Sequence, residues 1–139
     1  MRRFGRIYVT CKYLLDTHAF LWYLLGDTNL TIKAKGIINI QENLYFSIVS
    51  LWEIAIKINI GKLQVYRPIE DLFKELQFLN IQILPISNKD IELYSALSLP
   101  SNHRDPFDRM LIVQAINHSL ILISKDVKFD AYPIQRLWD

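Results

Sequence analysis

Short apolar runs alternate with longer stretches of helical spacing along most of the chain. Tyr13-Leu14-Leu15, Leu44-Tyr45-Phe46-Ser47, Ile81-Gln82-Ile83-Leu84 and Leu120-Ile121-Leu122-Ile123 have the length and content of strands. The last is apolar throughout, which predicts a strand buried on both faces. Helices are predicted between them. Thr17 is the candidate cap of a helix filled by Ala19 to Leu25 and stopped by Gly26. A more polar helix spans Thr31 to Gln41, and Ser50 is the candidate cap of one running to Ile60, ended by Gly61. Pro68 opens a helix from Ile69 to Leu79, with Glu70 and Asp71 in the first turn, where the helix dipole favours acids. Asn88 to Leu97 is a further helix, and Ile134 to Leu137 a short last strand. Such alternation, without repeat or linker, predicts one α/β domain on a mostly parallel sheet.

The densest signal lies between Asn102 and Asp126. Asp105 suits an N-cap, because its carboxylate can accept from the free amides of a first turn. Pro106 fits the first helical position, where no N–H is needed. Asp108 then falls at the third, in line with Ile112 and Ala115. After this helix come the strand Leu120–Ile123 and, at once, Ser124-Lys125-Asp126. In a helix followed by a parallel strand, the helix N-terminus and the strand C-terminus share one edge of the sheet. Asp108 and Asp126 are therefore expected near each other, at the edge where such folds bind ligands.

Composition narrows the classes. The chain has 139 residues, 51% of them hydrophobic, with a formal charge of +2. That length supports one real core. The small charge permits nucleic-acid binding without arguing for it. A mean hydropathy of +0.14 is high enough to expect partner-covered surface. Cys11 is the only cysteine, which rules out an internal disulfide or a cysteine-rich zinc site and fits a reducing cytoplasm. The apolar run Ala19–Leu25 is far shorter than the roughly 20 residues of a membrane span. The basic start, residues 1–12, reads as a loose arm; Lys12 and Asp16 interrupt any signal-peptide core. With four glycines and no G-x-G-x-x-G or P-loop motif, a nucleotide cofactor is not expected.

Four acids carry the chemistry. Asp16 ends the first strand and Asp126 follows the fourth. Glu53 and Asp108 fall in the first turns of helices. In a parallel sheet all four sit at one edge. Clustered carboxylates raise one another's pKa unless a cation joins them. Hard oxygen donors without thiols suit Mg²⁺, with Mn²⁺ as a substitute. Such an ion activates water and clamps a phosphodiester for in-line attack, which is nuclease chemistry. Each acid also has a structural reading. Ser50 and Glu53 form a capping-box pattern, Glu53 and Lys57 an i,i+4 pair, and Asp16, Asp108 and Asp126 are all potential helix-terminus residues. Glu53 lies on a helix that is apolar nearly all round, so a buried acid there needs a partner.

Other candidates are weaker. His18 and His103 are possible substrate contacts, and His118 complements a helix C-terminus. Arg104 and Arg109 suit phosphate, or equally pairing with Asp105 and Asp108. Asp105 is a cap first and an extra ligand second, and Asp130 a loop acid. Phe20, Trp22 and Tyr23 read as core or dimer interface rather than a base-stacking platform. No Ser/His/Asp or Cys/His arrangement is visible.

Four motifs in order, Leu14-Leu-Asp-Thr-His-Ala-Phe-Leu-Trp22, Ser50-Leu-Trp-Glu-Ile-Ala55, His103-Arg-Asp-Pro-Phe-Asp-Arg109 and Ser124-Lys-Asp126, closely resemble the PIN domain, and more narrowly the VapC-type toxins of type II toxin–antitoxin systems. The likeness covers residues 13–139 and leaves the N-terminal arm, residues 1–12, outside. It implies an α/β/α sandwich around a mostly parallel sheet and a Mg²⁺-dependent endoribonuclease. Asp16, Glu53, Asp108 and Asp126 match the four acidic positions, with Asp16 and Asp108 as main metal ligands and Glu53 and Asp126 completing the pocket. The implied partners are an RNA substrate, a cognate antitoxin and a second copy in a homodimer, with no membrane. Two other readings compete. One is a non-catalytic module that binds protein or RNA, its acids serving as caps and ion pairs. The other is a haloacid-dehalogenase-type phosphohydrolase, which wants an acid where this chain has His18.

Overall fold

The computed structural model describes residues 2–4, 7–65, 67–98 and 103–139. Asn102, at the head of the motif-bearing stretch, and Met1, Gly5 and Arg6 of the arm lie outside them. Within the arm, β1 (Arg2–Phe4) pairs antiparallel with β2 (Ile7–Val9), in a two-stranded ribbon separate from the main sheet.

From residue 13 the chain alternates as its pattern requires. In order it forms β3 (Tyr13–Leu15), α1 (Thr17–Leu25), α2 (Ile32–Ile40), β4 (Leu44–Ser47), α3 (Ile48–Asn59), α4 (Ile69–Phe78) and β5 (Ile81–Leu84). Then come α5 (Asn88–Ala96), α6 (Pro106–His118), β6 (Ile121–Ile123), a 3-10 turn at Val127–Ala131 and β7 (Arg136–Leu137). The main sheet has five strands in the order β5-β4-β3-β6-β7, every neighbouring pair parallel. The last strand is two residues long, shorter than the expected Ile134–Leu137.

Side-chain alternation divides the core in two. On one face Leu15, Phe46 and Ile123 join Phe20, Ile38, Ile54 and Leu72, beneath α1 to α4. The Phe20 and Phe46 rings meet there at 4.6 Å, a contact whose loss to alanine typically costs about 3–5 kcal/mol. On the other face Leu14 and Leu122 join Leu111, Ile112, Ala115 and Phe129, beneath α6. The central strands β3 and β6 are thus covered on both sides, as their apolar sequences demand. One polar node ties α5 to α6. Asp90 is fully buried and completes a capping box with Ser87. Burial raises its carboxyl, but hydrogen bonds from Asn117, the Ser87 backbone and Gln114 outweigh that and hold it below the usual range.

Two caps differ from expectation. Asp16, not Thr17, caps α1: its backbone is still extended, and its Oδ1 accepts from the Ala19 amide at 2.8 Å. Ser47, not Ser50, caps α3, accepting from the Val49 amide at 3.1 Å. The helix starts directly at the strand's end, so Ser50 is already inside it and Glu53 stands in the second turn, outside any capping box. Both differences have one cause. The strand-end residue keeps extended backbone and so takes the cap geometry, while the residues after it are already helical. Asp105 and Pro106 begin α6 as expected, with Asp105 accepting from the amides of Phe107 and Asp108.

These assignments separate two otherwise similar mutations. Ser47→Ala is expected to destabilise the fold by about 1 kcal/mol. Ser50→Ala should cost nothing measurable, because the buried Ser50 Oγ has no hydrogen-bond partner among the described residues. Urea denaturation of both variants checks the difference.

Candidate active site

The chain adds strands to one side of β3 (β4, then β5) and later to the other (β6, then β7). The crevice beyond the C-terminal ends of β3 and β6 lies at this reversal, where an open parallel sheet has room for a ligand. Leu15 aligns with both Phe46 and Ile123, and the Asp16 amide donates to the Ile123 carbonyl at 3.1 Å. Register therefore sets Asp16, Ser47 and Ser124 in one row at the mouth.

Asp16 is 8% exposed. Burial drives its carboxyl above the ordinary range. The Ser124 hydroxyl, the Ala19 amide and the charge of His18 offset this in part, while Asp126 adds to it. Asp16 forms no ion pair with any lysine or arginine among the described residues. Ser124 has a double role: its oxygen also accepts from the Asp126 amide at 3.0 Å. Asp126 in turn caps the 3-10 turn, accepting from the Lys128 amide at 2.9 Å.

Asp108 sits at the third position of α6 with its side chain 30% exposed. Its pKa is pushed up to about 6, chiefly by burial, with help from the charges of Asp105 and Glu53 and against a hydrogen bond from His103. Glu53 is held from two directions. The Thr17 hydroxyl donates to Oε1 at 2.7 Å, and the Lys57 ammonium lies 3.4 Å from Oε2. The partly buried acid thus has two partners, one of them the expected i,i+4 lysine.

Charge couples the site acids in two pairs, Asp126 raising Asp16, and Glu53, after Asp105, raising Asp108. Thr17, next to Asp16 and bonded to Glu53, links the pairs. Among the described residues no three acid, imidazole or thiol side chains converge into a ready-made cage. The acids lie along the sheet edge without closing on one another. That suits a small hard cation, because Mg²⁺ keeps several waters and needs only one or two carboxylates.

The other candidates are placed as follows. His103, expected at the substrate, is 6% exposed, with both ring nitrogens taken up by Asp108 and Tyr132. Arg109 pairs with neither Asp105 nor Asp108; its guanidinium stacks on the Tyr94 ring at 4.5 Å. Arg104 is exposed and has no hydrogen-bond or ion-pair partner among the described residues. His18 is exposed beside Trp22. His118 lies 3.9 Å from Asp90, and Asp130 pairs at 2.8 Å with Arg136, whose guanidinium also donates to the Ser124 carbonyl at the mouth at 3.1 Å. Phe20 is core, while Trp22 packs on Trp138 and the Tyr23 hydroxyl donates to Asn39.

Three contributors escaped the sequence reading. Thr17 passed for a cap, and Ser124 stood inside a motif with no role assigned. Tyr132 carried no local signal, since its contact with His103 spans 29 residues of chain.

Comparison with known proteins places the fold. The family profile described as PIN domain matches residues 13–135. A curated relative, "Ribonuclease VapC22" of Mycobacterium tuberculosis, is 27% identical over 114 residues, spanning 81% of this chain and 85% of its own length. Among solved structures, "Structure of FitAB bound to IR36 DNA fragment" superposes with a TM-score of 0.65 at 17% identity, covering 90% of this chain and 93% of that one. "Toxin-antitoxin complex from Klebsiella pneumoniae" superposes at 0.61 with 19% identity, covering 91% and 96%. At these identities the structural likeness establishes the fold, a parallel sheet flanked by helices.

The raised Asp108 pKa fixes a sign. The folded protein holds that proton more tightly than the unfolded chain, so the associated stability is full below about pH 4 and is lost as pH rises through about 6. In metal-free protein at pH 7.5, Asp108→Asn should therefore raise stability by about 1–2 kcal/mol, less than the full shift because the group is partly exposed. The gain should vanish near pH 4. Thermal melts across that range check it.

Proposed function

The chain belongs to the PIN domain family, and from that premise we propose that it is a divalent-metal-dependent endoribonuclease, the toxin of a type II toxin–antitoxin pair. The observation that carries the reading is the placement of two desolvated carboxylates, Asp16 and Asp108, at the crevice where the sheet reverses. Neither forms an ion pair with lysine or arginine among the described residues, which leaves negative charge available to a cation. Similarity to a ribonuclease across most of the chain supports the RNA substrate. A toxin–antitoxin complex among the structural neighbours supports the antitoxin partner.

In this reading Asp16 and Asp108 hold the ion, Mg²⁺ or in its place Mn²⁺, and Glu53 and Asp126 complete the pocket through water. When bound, the ion supplies an activated water and neutralises charge building on the phosphodiester. The protein's own work is orientation. Thr17 fixes Glu53, Ser124 joins Asp16 to Asp126, and the open mouth admits the RNA backbone. Arg104, exposed and unpartnered among the described residues, is better placed than the stacked Arg109 to meet a phosphate. Antitoxin and a second copy of the chain would cover exposed apolar surface such as Ile32, Phe78 and Trp52.

Purified chain freed of antitoxin should cut cellular RNA into discrete fragments with Mg²⁺ or Mn²⁺ and not with EDTA. Asp16→Asn and Asp108→Asn should each lower the rate on the order of 100-fold or more, the scale of losing one electrostatic stabiliser at a reacting centre. The ion should also raise the melting temperature, because it binds only the folded state. No cleavage together with no melting shift would sink the nuclease and favour the binding-module reading.

A further inference from the structure

We propose that Tyr132 and His103 form a positioning pair that fixes the Asp108 carboxylate for a divalent cation. The inference rests on the reading of Asp108 as a metal ligand and assigns two residues that touch neither ion nor substrate.

The pair is built from distant segments. His103 stands just before the Asp105 cap of α6, and Tyr132 ends the 3-10 turn that Asp126 caps. Both are nearly buried, at 6% and 7% exposure. The His103 Nε2 lies 3.2 Å from Asp108 Oδ2, and its Nδ1 lies 3.0 Å from the Tyr132 hydroxyl. The Phe129 and Tyr132 rings meet the imidazole edge-on at 5.8 and 5.5 Å, which fixes its plane.

Donor and acceptor counting gives the contacts a direction. A carboxylate ready for a cation is ionised and can only accept, so the imidazole must donate through Nε2–H. In the neutral ring Nδ1 is then bare and needs a donor. The tyrosine hydroxyl is that donor. It selects the tautomer that holds Asp108 Oδ2, while Oδ1 keeps no hydrogen-bond partner among the described residues and stays open to the ion. A neutral donor at Oδ2 also leaves the carboxylate's charge intact, which a lysine or arginine in the same place would cancel. This is the arrangement by which outer hydrogen bonds commonly tune a ligand.

The competing account is that the pair only packs α6 against the 3-10 turn. Mn²⁺ affinity, read without RNA from the electron paramagnetic resonance of free Mn²⁺, separates the two. Wild type, Asp108→Asn, His103→Ala, His103→Gln, Tyr132→Phe and the His103→Ala/Tyr132→Phe double variant are compared, with metal-free melts as the control for folding. His103→Ala should weaken Mn²⁺ binding by about 10- to 100-fold. His103→Gln should recover part of that, because its amide N–H can reach the place of Nε2–H. Tyr132→Phe should weaken binding several-fold in wild type and add nothing in the His103→Ala background.

Wild-type affinity in Tyr132→Phe and His103→Gln, with affinity lost in Asp108→Asn, would overturn the positioning role and leave the metal reading standing. Equal affinity in wild type and Asp108→Asn would remove the metal reading and the pair's role with it. Should His103→Ala fail to fold, Tyr132→Phe and His103→Gln decide the matter.

Discussion

The parallel pairing of β3 between β4 and β6 is the constraint on which the rest depends. Leu15 stands level with Phe46 on one side and with Ile123 on the other. That alignment delivers Leu15, Phe46 and Ile123 to one core and Leu14 and Leu122 to the other. It also sets the first residues past the strands in a row. A slip of one residue would exchange the two faces, bury the wrong side chains and carry Asp16 away from Ser124. Core packing and site geometry are therefore one specification. The hydrophobic energy that fixes the register also fixes the acids.

The site's electrostatics follow a consistent local rule. Buried carboxylates are costly, and a protein's usual answer is a paired cation. Here Asp16 is held by a serine hydroxyl and a backbone amide, and Asp108 by an imidazole. Only Glu53 meets a lysine, and it has a threonine hydroxyl as well. Neutral donors set the direction of an oxygen without removing its charge. The result is a sheet edge at which Asp16 and Asp108 are oriented by neutral or imidazole donors, with no lysine or arginine ion pair among the described residues.

Sequence made the frame legible because the frame is local. Apolar runs of strand length, the Gly26 stop and the Asp105-Pro106 start each depend on neighbours within one turn, and each appears where it was read. The assignment of the four acids to one edge rests on a related argument, their order and offset from strand ends in a parallel sheet. What was not legible depends on contacts between segments. Whether Thr17 caps or reaches Glu53 turns on which residue keeps extended backbone at the end of β3. Tyr132 acquires a role only when the 3-10 turn folds back beside His103. A strand's end also looks alike in sequence whether the next helix begins at once or three residues later, which is why Ser50 was taken for the cap and Glu53 for a first-turn acid.

That last junction has a consequence for how a chain of this kind can change length. β4 ends at Ser47 and α3 starts at Ile48 with no loop between them. The position of Glu53 is therefore counted from the strand, six residues along a rigid path. Each residue added or removed there turns the helix by about 100° and shifts it by about 1.5 Å. One insertion would swing the carboxylate away from Thr17 and turn Leu51 and Ile54 out of the core together. Heritable insertions and deletions are thus shut out of this segment, whatever its side chains become. Such variation is better borne by the stretch between α3 and α4, which holds no acid of the site and whose Leu63 and Val65 only flank the core.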